Sequence, residues 1–101
     1  MTPVNNNPLI WGILKFRYTA VMKRDRSSVP EETLRTLLRQ KRIEKGYSQL
    51  KLSLLLDNTR TFVSKYESGE RYLTFTEVIL ICQVLGVDPV EITKKVKKEL
   101  E

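Results

Sequence analysis

The sequence predicts a small, compact all-α domain of five helices, and three observations support this. From residue 30 onward, apolar residues recur three and four positions apart, which is the period of helices with one buried face. Helix-capping residues and glycines such as Gly46 and Gly86 interrupt these stretches, leaving only short turns. A chain of 101 residues, 41% of them hydrophobic, suits one domain with a modest core.

The first two helices are marked by their ends. Ser28 and Glu31 have the spacing of a capping box, with Pro30 in the first turn, and Gly46 ends the first helix. Ser48 is a suitable N-cap for the second helix. The inward positions of these two helices are Leu34, Leu37, Leu38, Leu52, Leu55 and Leu56.

The third predicted helix spans residues 59–68, with Thr59 as its cap and a glycine after its end. Val63 and Tyr66 lie on its inward face. Glu67 lies four residues after Val63, so a carboxylate also lies on the apolar face. This placement is unusual and calls for a partner.

Arg42 is the predicted partner of Glu67. It follows Leu38 by four residues, so it lies on the inward stripe of the first helix. A buried unpaired charge costs several kcal/mol, whereas a hydrogen-bonded arginine–carboxylate pair is tolerated. We therefore predict a structural ion pair between Arg42 and Glu67. The alternative is that both groups lie at helix ends and reach water.

The last two helices have clear starts. Thr74 and Glu77 form the pattern of a capping box, and Gly86 ends the fourth helix. Asp88 and Pro89 suit the cap and first position of a fifth helix. The fourth helix is apolar nearly all round, which leaves a surplus face. Leu80, Ile81 and Val84 form this surplus face, and Val96 and Leu100 extend the fifth helix. Either group is a candidate for the dimer surface, and the alternative is that they pack on each other or on the N-terminal strand.

Residues 1–29 are predicted to form an N-terminal extension, and residues 30–101 the helical domain. Residues 14–22 begin by alternating apolar and polar side chains, which indicates a strand, although an unpaired strand is unstable and would leave the segment disordered. A mis-assigned extension ahead of Met22 is a further alternative. The apolar run at residues 9–14 is too short for a membrane span and lacks the features of a signal peptide.

The charge distribution favours a polyanionic partner. The net charge is +6, and residues 1–29 contain five basic and one acidic residue. Residues 33–71 contain nine basic and four acidic residues. Nucleic acid is the first candidate and a membrane surface the second. A solvated basic surface without a partner is the alternative.

The residue types exclude several kinds of chemistry. The chain has no histidine and a single cysteine, Cys82, so it contains no internal disulfide, no nitrogen or sulfur metal site of the usual type and no Ser-His or Cys-His nucleophile. No glycine-rich phosphate loop is present either. We therefore expect no enzyme activity, no metal and no cofactor, and a reducing cytoplasmic setting is consistent with the one cysteine.

The outward face of the third helix is polar and contains no acidic residue. Its positions are Arg60, Thr61, Ser64, Lys65 and Ser68. Arginine and lysine donate to guanine in the major groove, while serine and threonine contact either a base or a phosphate. Simple solvent exposure is the alternative. Two short helices joined by a tight turn in a basic region favour nucleic-acid binding.

These features resemble the lambda-repressor-like, Cro/XRE-type helix-turn-helix family. The resemblance covers residues 33–92 and rests on the segments "LRQKRIEKGYSQLKLSLLLDNTRTFVSKYESGER" and "LTFTEVILICQVLGVDPVEI". It implies that the arginine late in the first helix pairs with the glutamate late in the third. It also implies DNA contacts at Gln49, Thr59, Arg60, Thr61, Ser64 and Lys65 and, in the loop after the third helix, at Arg71 and Tyr72.

Five positions depart from the family pattern. Asp57 stands where glycine is usual, and aspartate tolerates the left-handed conformation expected there. Asn58 stands where an apolar residue is usual. Ser53 replaces a small alanine, and we expect its hydroxyl to bond back to the second helix. Leu50 and Leu54 occupy positions that are usually polar.

The resemblance implies a lambda-repressor-like DNA-binding domain of a sequence-specific transcriptional regulator, a repressor by expectation, from a prokaryotic or phage-type source. Double-stranded DNA is the expected partner, bound by a homodimer at two half-sites. One alternative is an antitoxin-like protein whose N-terminal segment binds a partner protein while the domain autoregulates. Another is a protein-interaction module that no longer binds DNA, which the acid-free face disfavours.

Overall fold

The structure is a computed structural model that describes residues 28–100. Within this range the chain forms five helices and no strands. The predicted all-α fold is confirmed. The strand predicted at residues 14–22 lies outside the described residues. The same holds for the N-terminal extension predicted at residues 1–29, except for its last two residues. The helices are α1 (Val29–Lys45), α2 (Gln49–Leu55), α3 (Phe62–Glu67), α4 (Phe75–Leu85) and α5 (Pro89–Lys98).

Most helix ends form as the sequence predicts. Gly46 ends α1 in the left-handed conformation, with φ at 82°, where a side chain would be strained. The Ser48 side chain accepts a hydrogen bond from the backbone of α2. Thr74 and Glu77 form the complete capping box of α4, and Asp88 caps α5 through its bond from the Val90 N–H.

The capping box predicted at Ser28 is not formed. Ser28 lies at the N-cap position of α1, but its side chain makes no capping hydrogen bond. Its backbone carbonyl instead accepts from the Glu32 N–H at 3.0 Å, which is the first hydrogen bond of the helix. Acidic residues in the first turn, Glu31 and Glu32, still favour the positive end of the helix dipole.

A single hydrophobic core is formed by residues from all five helices. Helix α1 contacts the other three, while α2 packs mainly on α3. Cys82 is fully buried there, and burial raises the pKa of its thiol. The fully or nearly fully buried apolar residues are Leu38, Leu52, Phe62, Val63, Tyr66, Ile81, Cys82, Leu85 and Ile92.

Ile81 corrects one prediction. It was expected on a surplus apolar face of α4, but its side chain is only 1% exposed. Its neighbour Leu80 is 54% exposed. A helix that is apolar all round gives no local signal for which side meets the rest of the protein, so the direction of the buried face is decided by packing against α1 and α5.

The length of α3 is a second correction. The prediction placed it at residues 59–68 with Thr59 as the cap, whereas the helix spans Phe62–Glu67 with Thr61 at the N-cap. The Phe62 N–H donates to Thr59 O at 3.1 Å, which closes a turn ahead of the helix.

Within residues 28–100, no helix has the length and apolar character needed to cross a membrane.

Candidate nucleic-acid interface

Helices α2 and α3 are joined by a tight turn whose geometry depends on two polar residues. Asp57 has a φ of 53°, the one positive φ at a non-glycine residue in the described chain. The next residue, Asn58, donates its N–H to Ser53 O at 3.0 Å, while its side-chain oxygen accepts from the Thr59 N–H at 2.8 Å. The left-handed position expected where the family usually has glycine is therefore present, and aspartate adopts it.

Ser53 connects the two helices through one buried hydroxyl. Its Oγ donates to Gln49 O at 2.9 Å, which is the bond back to α2 expected from the sequence. The same oxygen accepts from the Val63 N–H at 3.1 Å. Since the first N–H groups of a helix have no partner within the helix, Ser53 satisfies one of them from a neighbouring helix.

Arg42 and Glu67 form a bidentate ion pair at the junction of three helices. Arg42 Nε donates to Glu67 Oε2 at 2.7 Å, and Arg42 Nη2 donates to Glu67 Oε1 at 3.0 Å. Arg42 Nη1 donates to Tyr47 O at 2.8 Å. The side chains are 10% and 4% exposed. The hydrogen bond that Arg42 donates to Glu67 raises the pKa of the Arg42 guanidinium and outweighs the opposing effect of burial.

Gln49 completes this junction from the first position of α2. Its Nε2 donates to Glu67 Oε1 at 2.9 Å, so the carboxylate accepts from both α1 and α2. A side-chain amide nitrogen has two N–H groups. One is used by Glu67, and the other can donate to a group outside the domain. The half-buried Gln49 is thus oriented by the ion pair.

Arg71 is bound to its own domain. Its Nη1 and Nη2 donate to the two carboxylate oxygens of Glu77, each at 2.8 Å, and Nη1 also donates to Tyr72 O at 2.9 Å. Its guanidinium carbon lies 4.9 Å from the centre of the Phe62 ring, a cation–π contact. The hydrogen bond from Arg71 lowers the pKa of Glu77 to about 2.

Phe62 is the residue that the sequence reasoning missed. It is 4% exposed and its ring meets the Tyr66 ring edge-on, with the centroids 5.4 Å apart. Its spacing of four residues from Tyr66 is a signal that could have identified it. Phe62 connects the start of α3 to Arg71 and so to the capping box of α4.

The polar residues predicted to contact DNA lie together at the start of α3. Thr59, Arg60, Thr61 and Lys65 are exposed, and Ser64 is half-buried. Arg60 and Thr61 lie in the turn before the helix, because α3 begins later than predicted. Ser64 Oγ donates to Thr61 O at 3.0 Å, so in this conformation its oxygen remains free to accept.

The two basic side chains of this face are not held in ion pairs by the described part of the chain. None of the ion pairs formed among residues 28–100 involves Arg60 or Lys65. Tyr72, in the loop after α3, is half-buried. The same part of the chain contains no cluster of three histidine, cysteine, aspartate or glutamate side chains that could hold a metal ion.

Comparison with known proteins gives one finding about the family. A search of curated proteins returns no significant match. The family model described as Helix-turn-helix matches residues 38–92, just over half of the chain, from the middle of α1 to the first turn of α5. That range contains the turn, the junction around Glu67 and the exposed start of α3. The chain therefore belongs to the lambda-repressor-like helix-turn-helix family, whose domains bind DNA in transcription regulators.

Proposed function

We propose that the protein is a sequence-specific repressor that reads the major groove with the start of α3 and the turn before it. The observation that supports this most is the acid-free group of Arg60, Thr61, Ser64 and Lys65, hereafter the reading face, of which all but the half-buried Ser64 are exposed. Its two basic members form no ion pair within residues 28–100. A repressor of this kind would act by occupying DNA that the transcription machinery needs.

Arg60 and Lys65 are the proposed base-reading residues. Both donate hydrogen bonds and suit the O6 and N7 acceptors of guanine. Ser64 is limited to accepting while its hydroxyl is bonded to Thr61 O, so it suits the amino group of cytosine or adenine. Thr59 and Thr61, ahead of the helix, are proposed to contact the backbone or a base edge.

Gln49 is the proposed phosphate contact from α2. Its remaining amide N–H can donate to a phosphate oxygen, and the bond to Glu67 fixes the direction in which it points. Phosphate contacts set the register of a protein on DNA and contribute affinity without reading sequence. Tyr72 is proposed as a second backbone contact.

Arg71 is proposed as a positioning residue in addition to any contact with the DNA backbone. Three of its N–H donors are used within the domain, and its guanidinium covers Phe62 at the start of α3. Through Phe62 it would hold the reading face in place. We expect Arg71→Ala to lower both the stability and the affinity, whereas Arg60→Ala should lower the affinity alone.

A homodimer is the proposed binding form, since one such domain reads only a few base pairs. A symmetric pair would occupy two half-sites about one helical turn apart. Light scattering with and without a palindromic site would give the oligomeric state. A monomer that binds a single half-site with full affinity would contradict this part of the proposal.

The test of the proposed function is selection of binding sites from random DNA, followed by affinity measurements on the selected site. Arg60→Ala and Lys65→Ala should each cost about 1–3 kcal/mol of specific binding. Lys94→Ala is the matched control, because Lys94 is an exposed lysine on α5. Equal losses for all three variants would show that general charge, and not a recognition face, supplies the binding. A reporter downstream of the selected site should be less active when the protein is present.

The antitoxin-like alternative would assign residues 9–22 to a partner protein. These residues lie outside the described part of the chain. A partner protein that co-purifies in stoichiometric amount would favour the alternative. Purification of the protein alone in a form that binds its selected site would favour the regulator.

A further inference from the structure

An apolar groove lies between the start of α1, the start of α4 and the length of α5, and no residue of the reading face lines it. Its volume is about 330 Å³, within the range of pockets that bind small molecules. Nine of its eleven lining residues are apolar, and Thr93 and Lys97 are the other two. Leu34, Phe75 and Leu100 are among the apolar lining residues.

The groove leaves large apolar side chains open to water. Phe75 is 75% exposed and Leu100 is 38% exposed. Contiguous apolar surface on a small protein commonly marks a binding site. The groove plays no part in the proposed contacts with DNA, so the inference that follows is independent of the proposed function.

We propose that residues 9–14 of the same chain, "LIWGIL", dock in this groove. The segment contains no charged residue, so docking would bury no unpaired charge, and Leu, Ile and Trp side chains suit an apolar lining. The basic residues Lys15 and Arg17 follow the segment and would remain at the rim. The proposed contact would place Trp11, the single tryptophan of the chain, against Phe75 or its neighbours.

The attachment point makes this occupant favourable. The described chain begins at Ser28, next to α1, and Leu34 of the groove lies six residues farther along that helix, roughly 9 Å away. The 13 residues between Leu14 and Ser28 can extend to roughly 45 Å, which is far more than the distance to be covered. The linker therefore allows either direction of docking.

The tether also favours the chain's own segment over a second copy. A short linker gives a tethered group an effective concentration on the order of mM. A second molecule at µM concentration would compete poorly for the same groove. Within one chain, docking would fix both ends of the basic stretch at residues 15–27, holding it against the domain.

The fluorescence of Trp11 in the full-length protein tests the proposal directly. We expect emission at shorter wavelength than that of a peptide of residues 1–22, and protection from iodide quenching. Both properties should be independent of protein concentration. Solvent-like emission and full quenching in the wild-type protein would overturn the proposal.

Phe75→Glu and Val90→Glu form a matched pair of variants. Both residues are exposed apolar side chains in the first turn of a helix, where glutamate is well tolerated, but only Phe75 lines the groove. Phe75→Glu should shift Trp11 to longer wavelength and raise quenching several-fold, while Val90→Glu should change neither. Circular dichroism should show both variants folded. A buried Trp11 that is insensitive to Phe75→Glu would place the segment elsewhere and refute the proposal.

Dilution separates the chain's own segment from that of a neighbouring copy. If Trp11 becomes exposed on dilution as dimers dissociate, the occupant is a second molecule and the proposal is wrong. A second measurement uses a dye that fluoresces on exposed apolar surface. Trp11→Ser should increase dye binding by opening the groove, whereas Val4→Ser, a change ahead of residues 9–14, should leave it unchanged. Equal dye binding by the two variants would also count against docking.

Discussion

Removal of the Glu67 carboxylate by Glu67→Ala should strongly destabilise the domain. Glu67 accepts three hydrogen bonds, two from Arg42 and one from Gln49, at distances of 2.7 to 3.0 Å. The substitution leaves the Arg42 charge almost buried, with Tyr47 O as its remaining partner among the described residues. The main cost is therefore the unpaired charge left on Arg42 and not the loss of the packing contacts of the glutamate side chain.

The magnitude follows from the burial of the pair. Breaking a buried pair by removing one partner costs about 3–5 kcal/mol. Arg42 keeps one hydrogen bond and is 8% exposed, so some water reaches it and the lower end applies, about 3 kcal/mol. For a domain of this size, that loss corresponds to a fall in Tm of roughly 12–24 °C.

Urea unfolding followed by circular dichroism would measure the loss. Glu44→Ala is the matched control, because Lys41 and Glu44 form an exposed pair at 3.6 Å in which Glu44 is 66% exposed. Exposed pairs contribute about 0–1 kcal/mol, so the control should change the unfolding free energy very little. The double substitution Arg42→Met with Glu67→Leu should recover much of the stability, since it removes the stranded charge.

Two results would refute this reasoning. A loss in Glu67→Ala no larger than that in the control would show that water, and not burial, determines the energy of the pair. A double variant as unstable as Glu67→Ala would show that the stranded Arg42 charge is not the source of the loss.

Three further predictions concern the turn and the loop after α3, each measured by urea unfolding. Ser53→Ala should lower the free energy of unfolding by about 1–2 kcal/mol, because it leaves a backbone N–H of α3 unpaired. Ser68→Ala removes an exposed hydrogen bond made by a hydroxyl group and should lower it by under about 0.5 kcal/mol. Equal losses would contradict the role of Ser53 in connecting α2 and α3. Asp57→Gly should stabilise the fold by about 0.5–1 kcal/mol, because glycine adopts the φ of 53° without strain. A loss of stability would show that the interactions of the aspartate side chain outweigh the backbone strain. The hydrogen bond from Arg71 lowers the pKa of Glu77 from 4.5 to about 2. The stabilisation that this ion pair gives the fold is therefore complete above about pH 4.5 and is lost as the pH falls toward 2. Screening by solvent limits the stabilisation to about 1 kcal/mol, and Glu77→Gln should remove this part of the acid dependence.

Sequence patterns predicted the helices well because their ends are chemically distinct. The threonine and glutamate at the start of α4 form the predicted box, and the glycine after α1 adopts the predicted left-handed conformation. The Arg42–Glu67 contact was also predictable, since a charge on each of two apolar stripes indicates a partner. These features depend on spacing along one helix, which a sequence displays directly.

The start of α3 could not be fixed in the same way. Thr59 and Thr61 are both suitable caps, and residue spacing alone does not choose between them. The choice is made by the Asn58 side chain, which binds the Thr59 N–H, and by the burial of Phe62. Such contacts depend on how the turn meets the rest of the domain.

Arg71 shows a similar limit for the candidate site. The family resemblance implied a contact with DNA at Arg71, but a basic residue in a loop has the same appearance whether it faces DNA or its own protein. Glu77 in the first turn of α4 and the ring of Phe62 determine where the guanidinium lies. That arrangement is visible only in three dimensions.

The late start of α3 has a consequence for engineering the protein. Arg60 lies outside the helix, Lys65 is exposed, and neither belongs to the hydrophobic core. Their replacement should therefore leave folding almost unchanged, unlike replacement of Glu67 or Ser53. The fold thus separates the residues that would choose a DNA sequence from those that maintain the scaffold. A library varied at Arg60 and Lys65 alone should yield mostly folded proteins, among which new DNA preferences can be selected.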